Sequence, residues 1–397
     1  MNEPVNLFDV QVRKDPYPTY ASMRIGAPAQ QIQPGGFWAV SRHEDVEAVL
    51  KKTQVFSSTA FSAFFKPDWL PHNPVGDSIV CKDGVDHSKL RNLLSRAFTP
   101  RAIARMEPRI REIVADLCER MALLGDVEFV SDFCAPLPGR VIAELLGIEP
   151  SLHREFKRWV GHLAAVSPLY PGDEAAAAIR ATVREMEGYL REVVAARRRS
   201  PQDDMVSDLV RAEVDGAALT DEEIISFLFI LLPAGFETTM HLFATMMLRF
   251  TDQPDTFARL RADRSLIPAH VEESLRSEPP VHGVMRLTVA EADIGGVKVP
   301  PGSMVLVLLG SANHDESRVP DPGRFDPSRN HAGLAFGHGP HFCLGAPLAR
   351  LEARVAVEEL TARFRGFDRL PGEIQWNVAF HVRGPTALPI HVSPAED

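Results

Sequence analysis

Phe336-Gly337-His338-Gly339-Pro340-His341-Phe342-Cys343-Leu344-Gly345-Ala346-Pro347-Leu348-Ala349-Arg350 sets three glycines around one cysteine, just before a stretch with the composition of a helix. Gly337, Gly339 and Gly345 permit tight turns and the close approach of a flat ligand. Cys343 precedes the helix start, where the helix dipole and free N–H groups favour a thiolate. Such a thiolate serves as a nucleophile or as a metal ligand. A lone cysteine is most often a small buried hydrophobe. The length of the pattern argues otherwise: F-G-x-G-x-H-x-C-x-G is followed by A-R-x-E inside the helix.

Four further patterns lie upstream. Glu273-Ser274-Leu275-Arg276 sets an acid and an arginine one helical turn apart, which alone is weak, because most such pairs are surface ion pairs. Phe325-Asp326-Pro327-Ser328-Arg329 follows it. Ala234-Gly235-Phe236-Glu237-Thr238-Thr239 places a glycine and an acid–alcohol pair inside a long helix, where both are costly. Pro233, just ahead, has no N–H to donate to residue 229, a departure that leaves both a kinked and a continuous helix open. His87 and Arg91 share one helical face at i and i+4.

Helical patterns dominate from about 87 to 277: 87–97, 107–124, 139–147, 151–166, 173–199, 204–213, 221–250, 254–263 and 266–277, with a last helix at 346–364. Thr220 and Glu223 form a capping-box pattern ahead of 221–250. Short helices are expected at 16–26 and 43–52, and a hairpin from 30–33 and 37–41 around Pro34-Gly35-Gly36. β-like runs lie at 284–289, 293–299, 303–309, 376–382 and 387–392. Residues 56–80, broken by Pro67, Pro71 and Pro74 and rich in aromatics, read as a long loop of the lid or binding type. The fold class is mainly α with small β-sheets (α+β). A single domain is expected over 1–397, helix-rich at about 87–277 and 346–364 and β-rich at about 30–41, 284–309 and 376–392.

The 397 residues are 45% hydrophobic and 24% charged, which excludes a disordered chain, a collagen-like repeat and a disulfide-rich scaffold. Lys plus Arg is 43 and Asp plus Glu 53, so the net charge is 43 − 53 = −10, a poor match to nucleic acid. The four cysteines, Cys81, Cys118, Cys134 and Cys343, form no C-x-x-C pair and suit a reducing compartment. Ile224 to Phe236 is too short an apolar run to span a bilayer. The N-terminus reads as neither signal peptide nor membrane anchor, so a cytoplasmic location is expected.

In motif order and over most of its length, the chain resembles the cytochrome P-450 family, the haem-thiolate monooxygenases, of the soluble bacterial type. The resemblance implies that family's fold, with the haem between the long distal helix and the proximal cysteine loop. It implies haem b (iron protoporphyrin IX), with Cys343 as the thiolate axial ligand of the metal. His87, Arg91, Arg286 and His341 become partners of the haem propionates, and Ala234 and Gly235 become the groove for dioxygen. Phe336, Gly337 and Gly345 become the haem-binding loop. Thr238 and Glu237 are the implied catalytic pair, a hydroxyl that steadies bound O2 and a carboxylate that relays protons. Glu273, Arg276 and Arg329 become a buried ion network that is scaffold rather than catalysis.

A thiolate-ligated haem favours O–O cleavage. The implied reaction inserts one oxygen atom from O2 into a substrate, by hydroxylation or epoxidation, and the second atom leaves as water. The implied pocket is Phe61, Phe64, Phe65, Trp69, Ile230, Val281, His282, Val284 and Phe380, which suits a hydrophobic small molecule. His282 and His381 would supply one polar contact each. The chain shows no flavin or iron–sulfur motif. Electrons would come from NAD(P)H indirectly, through a ferredoxin or flavodoxin and its reductase. Residues 87–111, with seven Lys/Arg and one acid, would steer that acidic partner. A monomer working in secondary metabolism is expected. A peroxide-using haem-thiolate enzyme and a haem sensor without turnover are the competing readings, and Glu237-Thr238 argues against both.

Overall fold

The computed structural model describes residues 5–33, 35–148, 152–167, 169–329, 333–377, 379 and 381–395. They fall into two compact units. One comprises 1–56, 105–137 and 238–397, the other 57–104 and 138–237.

The first unit is built on a mixed sheet. Strands Ala29–Ile32 and Phe37–Val40 form the expected antiparallel hairpin. Met304–Val307 pairs parallel to Phe37–Val40 and antiparallel to Val284–Thr288. Alternation along these strands sorts the side chains to two faces. Val40, Val305 and Val307 join Val46, Val49 and Leu50 of helix His43–Lys51 in one core cluster. Ala39 and Leu306 join Tyr20 and Met23 of helix Tyr17–Ile25 in another. Strand Pro389–Pro394 pairs with both Phe364–Arg369 and Asp126–Glu128 in a second sheet.

Helices Ile267–Ser277 and Ala346–Arg363 complete this unit's core and carry its strongest polar element. Arg276 and Glu273 are buried and paired twice, Nε to Oε2 and Nη2 to Oε1, both at 2.7 Å. Glu273 Oε1 also accepts from the Asp326 N–H at 2.9 Å and lies 3.6 Å from Arg329 Nε. Arg329 donates to the carbonyls of Pro320, at 2.6 Å, and Asp321, at 2.7 Å. A buried pair persists only when its remaining donors and acceptors are satisfied, and here backbone carbonyls do that work.

The second unit is helical: Gly84–Leu94, His153–Ala164, Asp173–Arg199 and Met205–Arg211 match the periodic runs. Helix Asp221–Asp252 belongs to both units. Its capping box is formed in both directions, Thr220 N–H to Glu223 Oε2 at 2.9 Å and Glu223 N–H to Thr220 Oγ1 at 3.2 Å. By length and composition it could cross a membrane, yet Ile224–Ile230 and 241–247 are buried in protein. The helix continues through Pro233, so the proline removes one donor without ending it.

Two expectations are corrected. Residues 56–80 are not one loop: they hold helix Ala60–Phe65 and the 3-10 turns Pro74–Asp77 and Ile79–Cys81. Asn73 starts the first turn, its side chain accepting from the Val75 N–H. Of the run at 376–382, the described strand pairing is Gln375–Trp376 with Pro385–Ala387, and Val382 makes an isolated bridge to Val281. A π-helical turn at Val130–Cys134 and a hairpin of Glu213–Val214 with Ala217–Ala218 carry no clear periodic signal. The hairpin's signal was its turn, Asp215-Gly216, where both residues have positive φ.

Candidate active site

The cysteine loop is determined by its backbone. Gly337 and Gly339 both sit at φ +71°, a conformation that glycine adopts without strain. A Cβ on Gly339 would also meet the Leu50 carbonyl oxygen at 2.9 Å. The loop is closed by Gly337 N–H to Leu334 O at 2.9 Å and Cys343 N–H to Phe336 O at 3.0 Å. His341 ends a 3-10 turn, Gly339–His341, and helix Ala346–Arg363 starts two residues after Leu344. Gly345, at φ −80°, needs no left-handed backbone. A Cβ there would lie at ordinary contact distance, 3.9 Å, from Sγ. Cys343 is exposed, whereas Cys81, Cys118 and Cys134 are buried.

The loop is tied to the buried ion network. Arg276 Nη1 donates to the Asn313 carbonyl at 3.0 Å, and Asn313 Oδ1 accepts from the Leu334 N–H at 2.6 Å. Leu334 in turn holds Gly337. Phe336 is covered by the Arg350 guanidinium, 4.6 Å from the ring centroid, and Arg350 pairs with Glu272 at 2.5 and 2.9 Å. Sequence reasoning quoted Arg350 in its motif and gave it no role; its place one turn into the helix was the available signal.

The middle of the long helix is built differently. It is buried at 224–230 and again at 241–247, but between them Ala234 is exposed and Gly235, Glu237 and Thr238 are half-buried. Gly235 does not open onto free space. A Cβ there would approach Ile142 Cδ1 to 3.1 Å, so its small size seats the helix Pro136–Leu145. Gly139 of that helix faces Phe236 in the same way, at 3.4 Å.

The four implied propionate partners fall in both units. In the first, Arg286 is buried on strand Val284–Thr288, with Nη1 donating to the Met285 carbonyl at 2.8 Å, and His341 is half-buried. In the second, helix Gly84–Leu94 carries buried His87 and half-buried Arg91 on one face.

The family model for cytochrome P450 matches residues 31–128 and 156–369. The chain belongs to the cytochrome P450 family. It is 38% identical over 400 residues to Cytochrome P450 107B1 of Saccharopolyspora erythraea, covering 96% of each chain. It is 42% identical over 334 residues to erythromycin C-12 hydroxylase of the same organism, covering 83% of this chain and 82% of that one. Among solved structures it is similar to cytochrome P450 CYP109Q5 from Chondromyces apiculatus, with a TM-score of 0.91 and 40% identity over 100% of both chains. The α+β architecture is the P450 fold, and the enzyme class is monooxygenase.

Haem with a cysteine thiolate is this family's cofactor, and the residues present fit it. Burial pushes the thiols of Cys81 and Cys118 up to about 12 and that of Cys134 well up, so none of these is a ready ligand. Cys343 alone of the four is exposed. In the first unit, the buried guanidinium of Arg286 suits a cofactor that brings carboxylates.

The implied pocket residues are divided between the two units. Phe61, Phe64 and Phe65 cluster on helix Ala60–Phe65, with ring centroids 6.2 Å (Phe61–Phe65) and 5.4 Å (Phe64–Phe65) apart. Trp69 Nε1 donates to the Ser167 carbonyl at 3.1 Å. Ile230 is buried in the long helix. Val281 and Val284 are partly buried against the first unit's core. His282 is corrected: it is buried, and both ring nitrogens are engaged, Nδ1 with Tyr20 Oη and Nε2 with Glu278 Oε1, each at 3.2 Å. It is not a free polar contact. Phe380 lies outside the described residues.

The basic stretch 87–111 is also corrected in part. Arg111 is saturated by Glu107, Glu358 and Glu359 at 2.7–2.9 Å, and Arg109 pairs with Glu112 at 2.9 Å. Glu358 and Glu359 of helix Ala346–Arg363, distant in sequence, offset the charge of Arg111, and Arg354 of the same helix shares Glu107 and Glu358. Lys89, Arg96 and Arg101 are exposed in the second unit.

Proposed function

We propose that this P450 inserts one oxygen atom from O2 into a C–H or C=C bond of a hydrophobic small molecule. Electrons come from NAD(P)H through a ferredoxin or flavodoxin and its reductase. The exposed Cys343, held on a positive-φ glycine loop at a helix start, is the observation that carries this reading.

Haem, when bound, supplies the activation of dioxygen. The protein's part is to hold, orient and protonate. Cys343 Sγ is the ligand, and the loop bonds to Phe336 and Leu334 hold it in place. Arg286, His341, His87 and Arg91 neutralise the propionates. Ala234, the exposed small residue of the long helix, leaves room for O2. Glu237 and Thr238 adjoin it, the carboxylate delivering protons and the hydroxyl passing them on, as proton transfer requires groups within hydrogen-bond reach. Phe61, Phe64, Phe65, Trp69 and Ile230 of the second unit, and Val281 and Val284 of the first, are the apolar residues we assign to substrate contact.

Kinship with an erythromycin hydroxylase supports a natural product of secondary metabolism as substrate. Lys89, Arg96 and Arg101 suit an acidic electron donor. We read residues 1–397 as one catalytic domain, monomeric and cytoplasmic. The test is turnover under 18O2 with a ferredoxin, its reductase and NADPH. One labelled atom should enter the product and one should appear in water; product without label would overturn the reading.

A further inference from the structure

Glu278 ends the helix Ile267–Ser277 and organises a polar cluster in the first unit. Its Oε1 accepts from Arg383 Nε at 2.8 Å and from His282 Nε2 at 3.2 Å. Burial pushes this carboxyl up, but the His282 hydrogen bond and the Arg383 charge hold it down at about 2. It is therefore ionised at neutral pH and can only accept. His282 Nε2 must then carry the ring proton, which makes Nδ1 an acceptor for the Tyr20 hydroxyl. The proton order is fixed: Tyr20 to His282, His282 to Glu278, with Arg383 donating to the same Glu278 oxygen.

The imidazole is seated by backbone as well. Gly310 N–H donates to the His282 carbonyl at 3.1 Å, and a Cβ on Gly310 would fall 2.9 Å from Nδ1. Only a glycine fits there. The same residues clamp two distant segments together. His282 N–H donates to the His381 carbonyl, and Arg383 N–H to the Pro280 carbonyl, both at 2.8 Å. Val281 bridges Val382. Arg383 also donates to the carbonyls of Arg13 and Lys14 and lies 3.6 Å over the Trp376 ring. The partly open cavity beside Tyr20, His282, Asn377 and Arg383 measures about 20 Å³, room for about one water. The cluster holds its surroundings and has no space for a ligand.

We infer that Tyr20, Glu278 and Arg383, acting through His282, are positioning residues that set the pocket wall at Val281 and Val284. The inference rests on the reading of those valines as substrate-lining. None of the three touches substrate. They fix where the wall stands by fixing the backbone at 280–283 against 381–383, and they carry that constraint to the N-terminal helix through Tyr20.

The test uses the haem-loaded enzyme and Tyr20→Phe, which keeps the ring and removes the hydroxyl, with Glu278→Gln as the second variant. Two azoles that ligate haem iron serve as probes: imidazole, which is too small to reach the wall, and 4-phenylimidazole, which is not. Loss of one buried hydrogen bond should weaken 4-phenylimidazole about tenfold while imidazole is unchanged. Amide exchange at His282, Gly283 and Arg383 should accelerate by a similar factor. Unchanged exchange in both variants would overturn the inference. So would faster exchange with an unaltered ratio of the two affinities. Val284→Phe separates the two failures: if it too leaves the ratio unaltered, the pocket reading is at fault, and if it alone shifts the ratio, the positioning role is.

Discussion

The cysteine loop and the middle of the long helix both depend on glycine, for opposite physical reasons. Gly337 and Gly339 supply backbone angles, +71° at each, and the loop between Leu334 and Cys343 closes on its own carbonyls. Gly235 has helical angles and supplies space, 3.1 Å from Ile142. The loop is therefore specified locally and backed by a buried ion network, while the helix segment is specified by what packs against it. A motif letter does not say which kind of constraint it records; the geometry does.

The loop's backing should be the most sensitive point. Arg276→Ala strands Glu273 and releases Asn313, and breaking a buried pair in this way costs about 3–5 kcal/mol. Chemical denaturation should find that loss, together with poor haem retention. A loss below about 1 kcal/mol would mean that the loop stands without its network. Gly339→Ala tests the loop itself: strained backbone and a close carbonyl together should cost about 1–3 kcal/mol. The same measurement checks it.

Thr238→Ala moves to the helix. It should leave stability nearly unchanged and lower the fraction of consumed O2 that appears in product, read from oxygen uptake against product formed. Full coupling in the variant would remove Thr238 from the proton path.

Glu352, buried in helix Ala346–Arg363 with no hydrogen-bond partner at Oε2, sharpens the contrast through pH. Burial pushes its carboxyl from 4.5 up to about 8. The unfolded chain gives up this proton first, so stability falls as pH rises between those values and levels off above. Glu352→Gln should flatten that part of the stability–pH curve. A wild-type slope that the variant preserves would assign the effect elsewhere.

The smallest effect is expected at Gly235→Ala. Helix propensity gains about 1 kcal/mol, and crowding against Ile142 costs about 1–3 kcal/mol. Adding Ile142→Val should recover part of the loss, as a double-mutant cycle on denaturation would show. Additive effects would mean that Gly235 is not a packing position.

The sequence made some of this plain and hid the rest. Long periodic helices such as 173–199 and 221–252 were legible because one apolar face repeats along many turns. The cysteine loop was legible because its constraints are local. Helix Ala60–Phe65 was hidden by its own brevity and by the prolines that follow it. His282 was misread because its partners, Tyr20 and Glu278, come from an N-terminal helix and the end of another. The charge on Arg111 was miscounted because Glu358 and Glu359 lie far along the chain. Residues whose role is set by distant partners leave no pattern at their own position.

The central claim is that Cys343 presents a thiolate to haem iron. The carbon monoxide difference spectrum of the reduced, haem-loaded protein tests it most directly. The account predicts a strongly red-shifted Soret band in the native protein and its loss in Cys343→Ser. An ordinary unshifted band from folded native protein, or a shifted band that survives in Cys343→Ser, would contradict it.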